Sequence, residues 1–200
     1  MKWGEIQIES LKKMFLNNDN LEVSKLEEYK KDKKYKTYLF AMPQACNEAI
    51  NYLLDNGIPF IQSYELTKSE DNNKYELENL IDNFKCITEI VCDEAINYKT
   101  IGNNILVIDN WKESPITIFY ESHVNDIKES TSSDYEFEIN KQLARLIPLY
   151  IAGELYKDDD ISLATMYMNE FITNVDRIAQ KYNNNQFSNH NIETVYFIGM

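Results

Sequence analysis

The stretch Leu143–Phe171, LARLIPLYIAGELYKDDDISLATMYMNEF, decides the fold. Leu143, Leu146, Ile147, Tyr150, Ile151 and Leu155 recur at spacings that place them on one side of a helix. Leu163, Ala164, Tyr167, Met168, Phe171, Ile172, Val175 and Ile178, with Ile161 ahead of them, repeat the pattern for the next helix. Between the two stands Asp158-Asp159-Asp160. Hard cations take carboxylate oxygens, so the triplet invites reading as a metal site. The spacing argues against it. Counted from Asp158, an EF-hand loop needs Gly sixth and Glu twelfth, and the chain has Leu163 and Asn169 there. Adjacent carboxylates at a helix joint have a simpler use. One accepts from the free N–H groups of the next helix, and all favour its positive end. Asp158, Asp159 and Asp160 are therefore expected to be a structural helix cap, with no metal ligand among them.

Working outward, residues 3–17 form a short amphipathic helix through Ile6, Ile8, Leu11, Met14 and Phe15. The charged segment 21–36 reads as a loop with a helical turn. A second helix lies within Tyr35–Asn56, with Pro43 expected to kink or break it and Gly57 placed to end it in a left-handed conformation. From Ile58 the period changes. Ile58–Leu66, Phe84–Cys92, Ile105–Ile108 and Ile116–Tyr120 read as strands, with a hairpin-like turn at Ile101–Asn104. Val124–Asp134 is polar, after which the helices return. Asn183–Asn185 reads as a linker to an apolar tail, Glu193–Met200. The expected fold class is α+β: a bundle of about four helices with an antiparallel β-sheet or sandwich block inserted between the second and third. Residues 1–57 and 125–182 make the helical core, 58–124 the β block and 183–200 a C-terminal extension. Val195, Tyr196, Phe197 and Ile198 in that extension either complete the chain's own core or add to a neighbouring subunit.

Composition narrows the function. The 200 residues carry a formal net charge of −13, which disfavours tight binding to nucleic acid phosphates and to anionic membranes. Lys30-Lys31-Asp32-Lys33-Lys34 is the basic run, read as a solvated helix or loop. No stretch has the length and apolarity of a membrane helix, and Met1–Ile6 lacks signal-peptide form. Cys46, Cys86 and Cys92 lack CxxC spacing and suit packing in a reducing compartment. His123 and His190 are far apart, and the five glycines make no phosphate loop. Glu154 and Glu170 are the candidate paired acids, with solvated helix faces as the simpler reading. No catalytic residue, metal or cofactor is expected.

The helical pair also carries a resemblance. Leu146, Pro148, Leu149, Tyr150, Ile151, Ala152, Leu155, Tyr156, Lys157, Asp158 and Asp159, then Leu163, Ala164, Tyr167, Asn169, Glu170 and Phe171, resemble the end of head–tail connector (adaptor) proteins of tailed bacteriophages and prophages. Tyr38–Leu53, with Pro43, Asn47 and Ala49, is similar to that family's earlier helix, and Thr117–Ser122 (TIFYES) to its final strand. The charged segment 21–36 and the tail depart from the pattern. The resemblance implies a non-enzymatic virion protein, made in the host bacterial cytoplasm. It implies a homo-oligomeric ring of about twelve subunits. That ring would sit under the portal protein, meet the neck or tail-completion protein, and let DNA pass through its lumen without specific binding. Two other classes fit the composition: an acidic DNA-mimic inhibitor, with its carboxylates on one long face, and a metal-dependent hydrolase using Asp158–Asp160.

Overall fold

Helix α6 (Ile147–Leu155) buries Ile147, Pro148, Leu149, Ile151, Ala152 and Gly153 and leaves Tyr150, Glu154 and Leu155 half-buried. A helix so largely buried needs neighbours on several sides. In the computed structural model these are α1 (Trp3–Met14), α3 (Lys36–Asp55) and α7 (Ile161–Asn189). The structure describes residues 1–15, 20–68, 73–93, 96–112, 114–137 and 139–189, with 183–189 described by backbone alone. The tail residues Val195, Tyr196, Phe197 and Ile198 lie outside the described residues.

The chain divides into two compact units. The helical unit comprises Met1–Ile58, Ile127–Phe137 and the chain from Lys141 onward. It contains α1, a 3-10 turn (Val23–Lys25), α2 (Leu26–Tyr29), α3, a single turn α5 (Lys141–Ala144), α6 and α7. Its core is drawn from Ile6, Leu11, Met14, Met42, Leu53, Ile147 and Phe171, all essentially inaccessible. Phe171 wedges between Tyr150 and Tyr52, with ring centroids 5.1 and 5.3 Å away. The backbones of α6 and α7 approach so closely at Gly153 that a Cβ there would lie 3.1 Å from the Met168 amide nitrogen and 3.2 Å from the Ala164 carbonyl oxygen.

Two side chains fix irregular backbone in this unit. Asn47 of α3 donates to the Ile127 carbonyl (2.9 Å) and accepts from the Ile127 N–H (2.8 Å), pairing with that peptide as a strand would. At the start of α1, the Glu5 carboxylate accepts from the Lys2 N–H at 2.8 Å. The N–H groups of Trp3 and Gly4 donate to the carbonyls of Tyr135 and Ser133, so the first orphan donors of α1 are met by the returning chain. The end of α3 is a Schellman turn. Gly57 sits at φ +73°, its N–H donates to Leu54 O, and the Ile58 N–H donates to Leu53 O. Leu53 and Ile58 are both fully buried beside it.

The β unit, centred on Pro59–Asp126, holds two three-stranded antiparallel sheets. One has the order β1 (Ile61–Leu66), β6 (Ile116–Ser122), β3 (Phe84–Cys92), and the other β2 (Lys74–Glu76), β5 (Ile105–Asp109), β4 (Asn97–Ile101). In β6, Ile116, Ile118, Tyr120 and Ser122 alternate inward with half-buried residues between them. Leu66, Tyr75, Leu106, Ile108, Ile116 and Ile118, drawn from both sheets, join one buried cluster. Trp111 completes it, and its indole N–H finds the Ser114 carbonyl at 2.7 Å. The fold class is α+β with antiparallel sheets, as expected.

Three local expectations are corrected. Of the kink or break expected at Pro43, the break is corrected, because α3 runs through it as one helix. Proline forfeits one hydrogen bond, but Leu39, Met42, Cys46 and Ala49 on both sides of it are buried and hold the helix in place. The segment read as one helix from Leu143 is two, because α6 begins anew with Pro148 in its first turn, where a missing N–H costs nothing. In the β unit, β2 is followed directly by one helical turn, α4 (Leu77–Leu80). Asn183–Asn185, read as a linker, continues α7, whose backbone is helical to Asn189. Asparagine is a poor helix former but does not stop a helix that is already nucleated.

Gly153 and Gly57 of the helical unit give opposite kinds of test. Gly153→Ala overpacks a backbone contact and is expected to cost about 1–3 kcal/mol. Gly57→Ala meets open space and strains only φ, for about 1–2 kcal/mol. Denaturant unfolding measures both, and a neutral Gly153→Ala would refute the close approach.

Candidate functional site

The joint between α6 and α7 holds the sequence's acidic triplet, and each aspartate has a different place. Chain reversal begins at Tyr156, whose N–H donates to Ala152 O and whose carbonyl accepts from the N–H groups of Asp159 and Asp160. Asp160 Oδ1 then accepts from the Ser162 N–H (3.1 Å) and the Leu163 N–H (3.0 Å). Those are two of the donors left free at the start of α7. Asp159 Oδ2 accepts instead from the Tyr38 hydroxyl of α3 at 2.6 Å. Asp158 is exposed. The triplet thus serves two backbone donors and one phenol, and ties the joint to α3.

Around this joint lies an aromatic cluster that sequence reasoning missed. Phe15 meets Tyr35, Tyr38 and Tyr156 edge-on, at centroid distances of 5.2, 5.4 and 5.7 Å. Lys34 lies over the rings of Phe15 (4.8 Å) and Tyr35 (5.1 Å), so this member of the basic run has a local partner. The Tyr167 hydroxyl of α7 donates to the Lys13 carbonyl at the end of α1 (3.0 Å). No local signal announces these contacts, because Tyr38 and Asp159 are 121 residues apart.

Burial and these hydrogen bonds shape the titration of the phenols. Burial, then the hydrogen bond to the Asp159 carboxylate, pushes Tyr38 well above the ordinary phenol range. Tyr150 is raised by burial and then by Glu48, and Tyr167 by burial and then by Glu170. Burial likewise pushes the Cys46 thiol up, which keeps it a packed, protonated side chain.

The other candidates from the sequence are not brought together. Glu154 of α6 accepts from Lys157 in the turn that follows, Glu170 is exposed on α7, and no hydrogen bond or ion pair among the described residues joins the two acids. His123 is exposed in the β unit, and His190 lies outside the described residues. Cys86 and Cys92 are half-buried free thiols. Among the described residues, no group of three or more His, Cys, Asp or Glu could hold a metal ion. No helix of the described residues is long and apolar enough to cross a membrane.

Asp160→Ala is expected to cost about 1 kcal/mol of stability, with Asp158→Ala near neutral. Neither wild type nor variant should respond to calcium or magnesium, and thermal melts with and without the ions decide this. A second outcome concerns pH. A raised phenol pKa in the folded state stabilises the neutral form. Its stabilisation is therefore complete below the unfolded value of about 10 and is lost as pH rises above it. Tyr38→Phe should flatten that alkaline loss in unfolding curves. No family model matches the chain and no curated protein matches it, which leaves the joint and the pattern it carries as the basis for a functional reading.

Proposed function

We propose that the protein is a head–tail connector (adaptor) of a tailed phage or prophage, a non-enzymatic virion protein whose work is to hold partners together. The observation that carries the reading is the use made of the residues behind the resemblance. Pro148 opens α6, Leu149, Ile151 and Ala152 are buried, and Tyr150 meets Phe171 edge-on. Ala164 lies at the close crossing of α6 and α7, and Asp159 and Asp160 tie the joint. In the earlier helix Ala49 is buried and Asn47 clamps Ile127. The shared pattern is thus a framework for positioning helices, which is what a ring subunit needs.

The finer architecture belongs to the same reading. The helical unit is a bundle of about four helices that builds the ring, with the β block inserted between its second and third helices. Ile161 and Met166 stand exposed on α7, where an apolar surface of a neighbour would cover them. The net charge of −13, multiplied by a ring, would line a channel that DNA passes without sticking. The portal protein and a neck or tail-completion protein are its partners.

Native mass measurement and negative-stain images, with and without the portal protein of the same particle, test the reading. A ring of about twelve copies on the portal is expected. A chain that stays monomeric and ignores the portal sinks it.

A further inference from the structure

The two sheets of the β unit leave a hollow of about 490 Å³ between β1 and β2. Both strands stand at the end of their sheet's strand order. Tyr64, Leu66 and Thr67 line the hollow from β1 and its end, Tyr75 from β2 and Leu80 from α4. Leu66 and Tyr75 belong to the buried cluster that both sheets share, and Tyr64 packs against it. Leu80 is 45% exposed. The core of the β unit therefore continues into the hollow, with an apolar side chain at its rim.

The charges at this rim ask for no ion. Lys74 Nζ and Asn79 Nδ2 donate to the two carboxylate oxygens of Glu76, at 3.0 and 2.9 Å. With those groups engaged by one another, an occupant meets mostly apolar wall and a sheet edge. A strand at a sheet edge is a template for a further strand. Among the edges, β1 is the one best built for it. Its six residues pair with β6 without a shift. At the other end of the same sheet, β3 is broken by two register shifts, and β4 carries Lys99 at its centre. Bulges and edge lysines both deflect an incoming strand. The remaining edge, β2, has only three residues.

The chain itself holds a segment of matching chemistry. Thr194–Ile198 is a run of five uncharged residues, all β-branched or aromatic, which is the composition of a strand. At a period of two, Val195 and Phe197 share one face, while Thr194 and Tyr196, with their hydroxyls, share the other with Ile198. We propose that Thr194–Ile198 of a neighbouring copy adds to β1 as a further strand, with Val195 and Phe197 filling the hollow against Leu66, Tyr75 and Leu80. Main-chain hydrogen bonds along β1 supply affinity, and the two inserted side chains select this segment. The inference deepens the ring reading and rests on it, since a copy that both gives and receives a strand is joined head to tail to two others.

The test uses the full chain carrying Phe197→Asp, which leaves the hollow intact, and labelled peptides of residues 190–200 read by fluorescence anisotropy. The wild-type peptide is expected to bind, and a Phe197→Asp peptide to bind about tenfold more weakly. A Tyr196→Asp peptide, altered on the opposite face, should bind nearly as well as wild type. Leu80→Asp in the receiving chain, a change at an exposed position, should weaken the wild-type peptide. In native mass measurement, with or without the portal protein, the unaltered chain should form oligomers that Phe197→Asp dissolves. The proposal is overturned if the wild-type peptide does not bind at millimolar concentration, if the two altered peptides are weakened equally, or if Leu80→Asp changes nothing. It is also overturned if the unaltered chain is monomeric and still excludes the peptide, which would place its own segment in the hollow. A ring on the portal that survives Phe197→Asp overturns this contact and leaves the connector reading standing, whereas strand exchange in a chain that ignores the portal does the reverse.

Discussion

The helical unit depends on the burial of α6. A nine-residue helix with six buried residues has no independent existence in water, and its neighbours must cover that apolar surface for it to persist. Enclosure is tightest at Gly153, where the absent side chain lets α7 approach to backbone contact. With the two helices that near, Phe171 is driven between Tyr150 and Tyr52, and the chain must reverse over a few residues. The cap at Asp160 follows from that reversal, because the first N–H groups of α7 face a turn with no backbone left to satisfy them.

Polar side chains in this unit act mostly on backbone. Asn47 completes the peptide of Ile127, Glu5 accepts from Lys2, Asp160 caps α7, and Tyr167 closes the end of α1 on Lys13. Each meets a group that secondary structure leaves unpaired, which is where a hydrogen bond contributes most. The ion pairs, by contrast, are exposed, whether local, such as Lys157 with Glu154 and Lys12 with Glu9, or distant in the chain, such as Lys2 with Asp134, and contribute little. Gln7 stands out against this economy as a buried amide oxygen left without a donor.

Much of the architecture was legible because it follows from period. Spacings of three and four mark α1, α3, α6 and α7, and alternation marks β1, β3, β5 and β6. The edge strand β4 escaped notice because all five of its residues are exposed, so no alternation is imposed on them. Single-residue punctuation misled in two directions. Pro43 promised a kink or a break, and packing holds α3 as one helix through it; Asn183–Asn185 promised a linker where the backbone stays helical. At the joint, the spacing of the aspartates argued against an EF-hand, and their place between two helical periods pointed to a cap.

By itself, then, the sequence determined the α+β class, the positions of the main helices and the local meaning of the acidic triplet, since these rest on contacts within a few residues. The tertiary structure alone decided which aspartate caps and which meets Tyr38, how closely α6 and α7 cross, how the aromatic ring cluster closes on Phe15, and that a hollow opens between β1 and β2. Those outcomes join residues far apart in the chain. Burial, not local propensity, brings them together, and no periodicity in the sequence encodes which distant partner each will find.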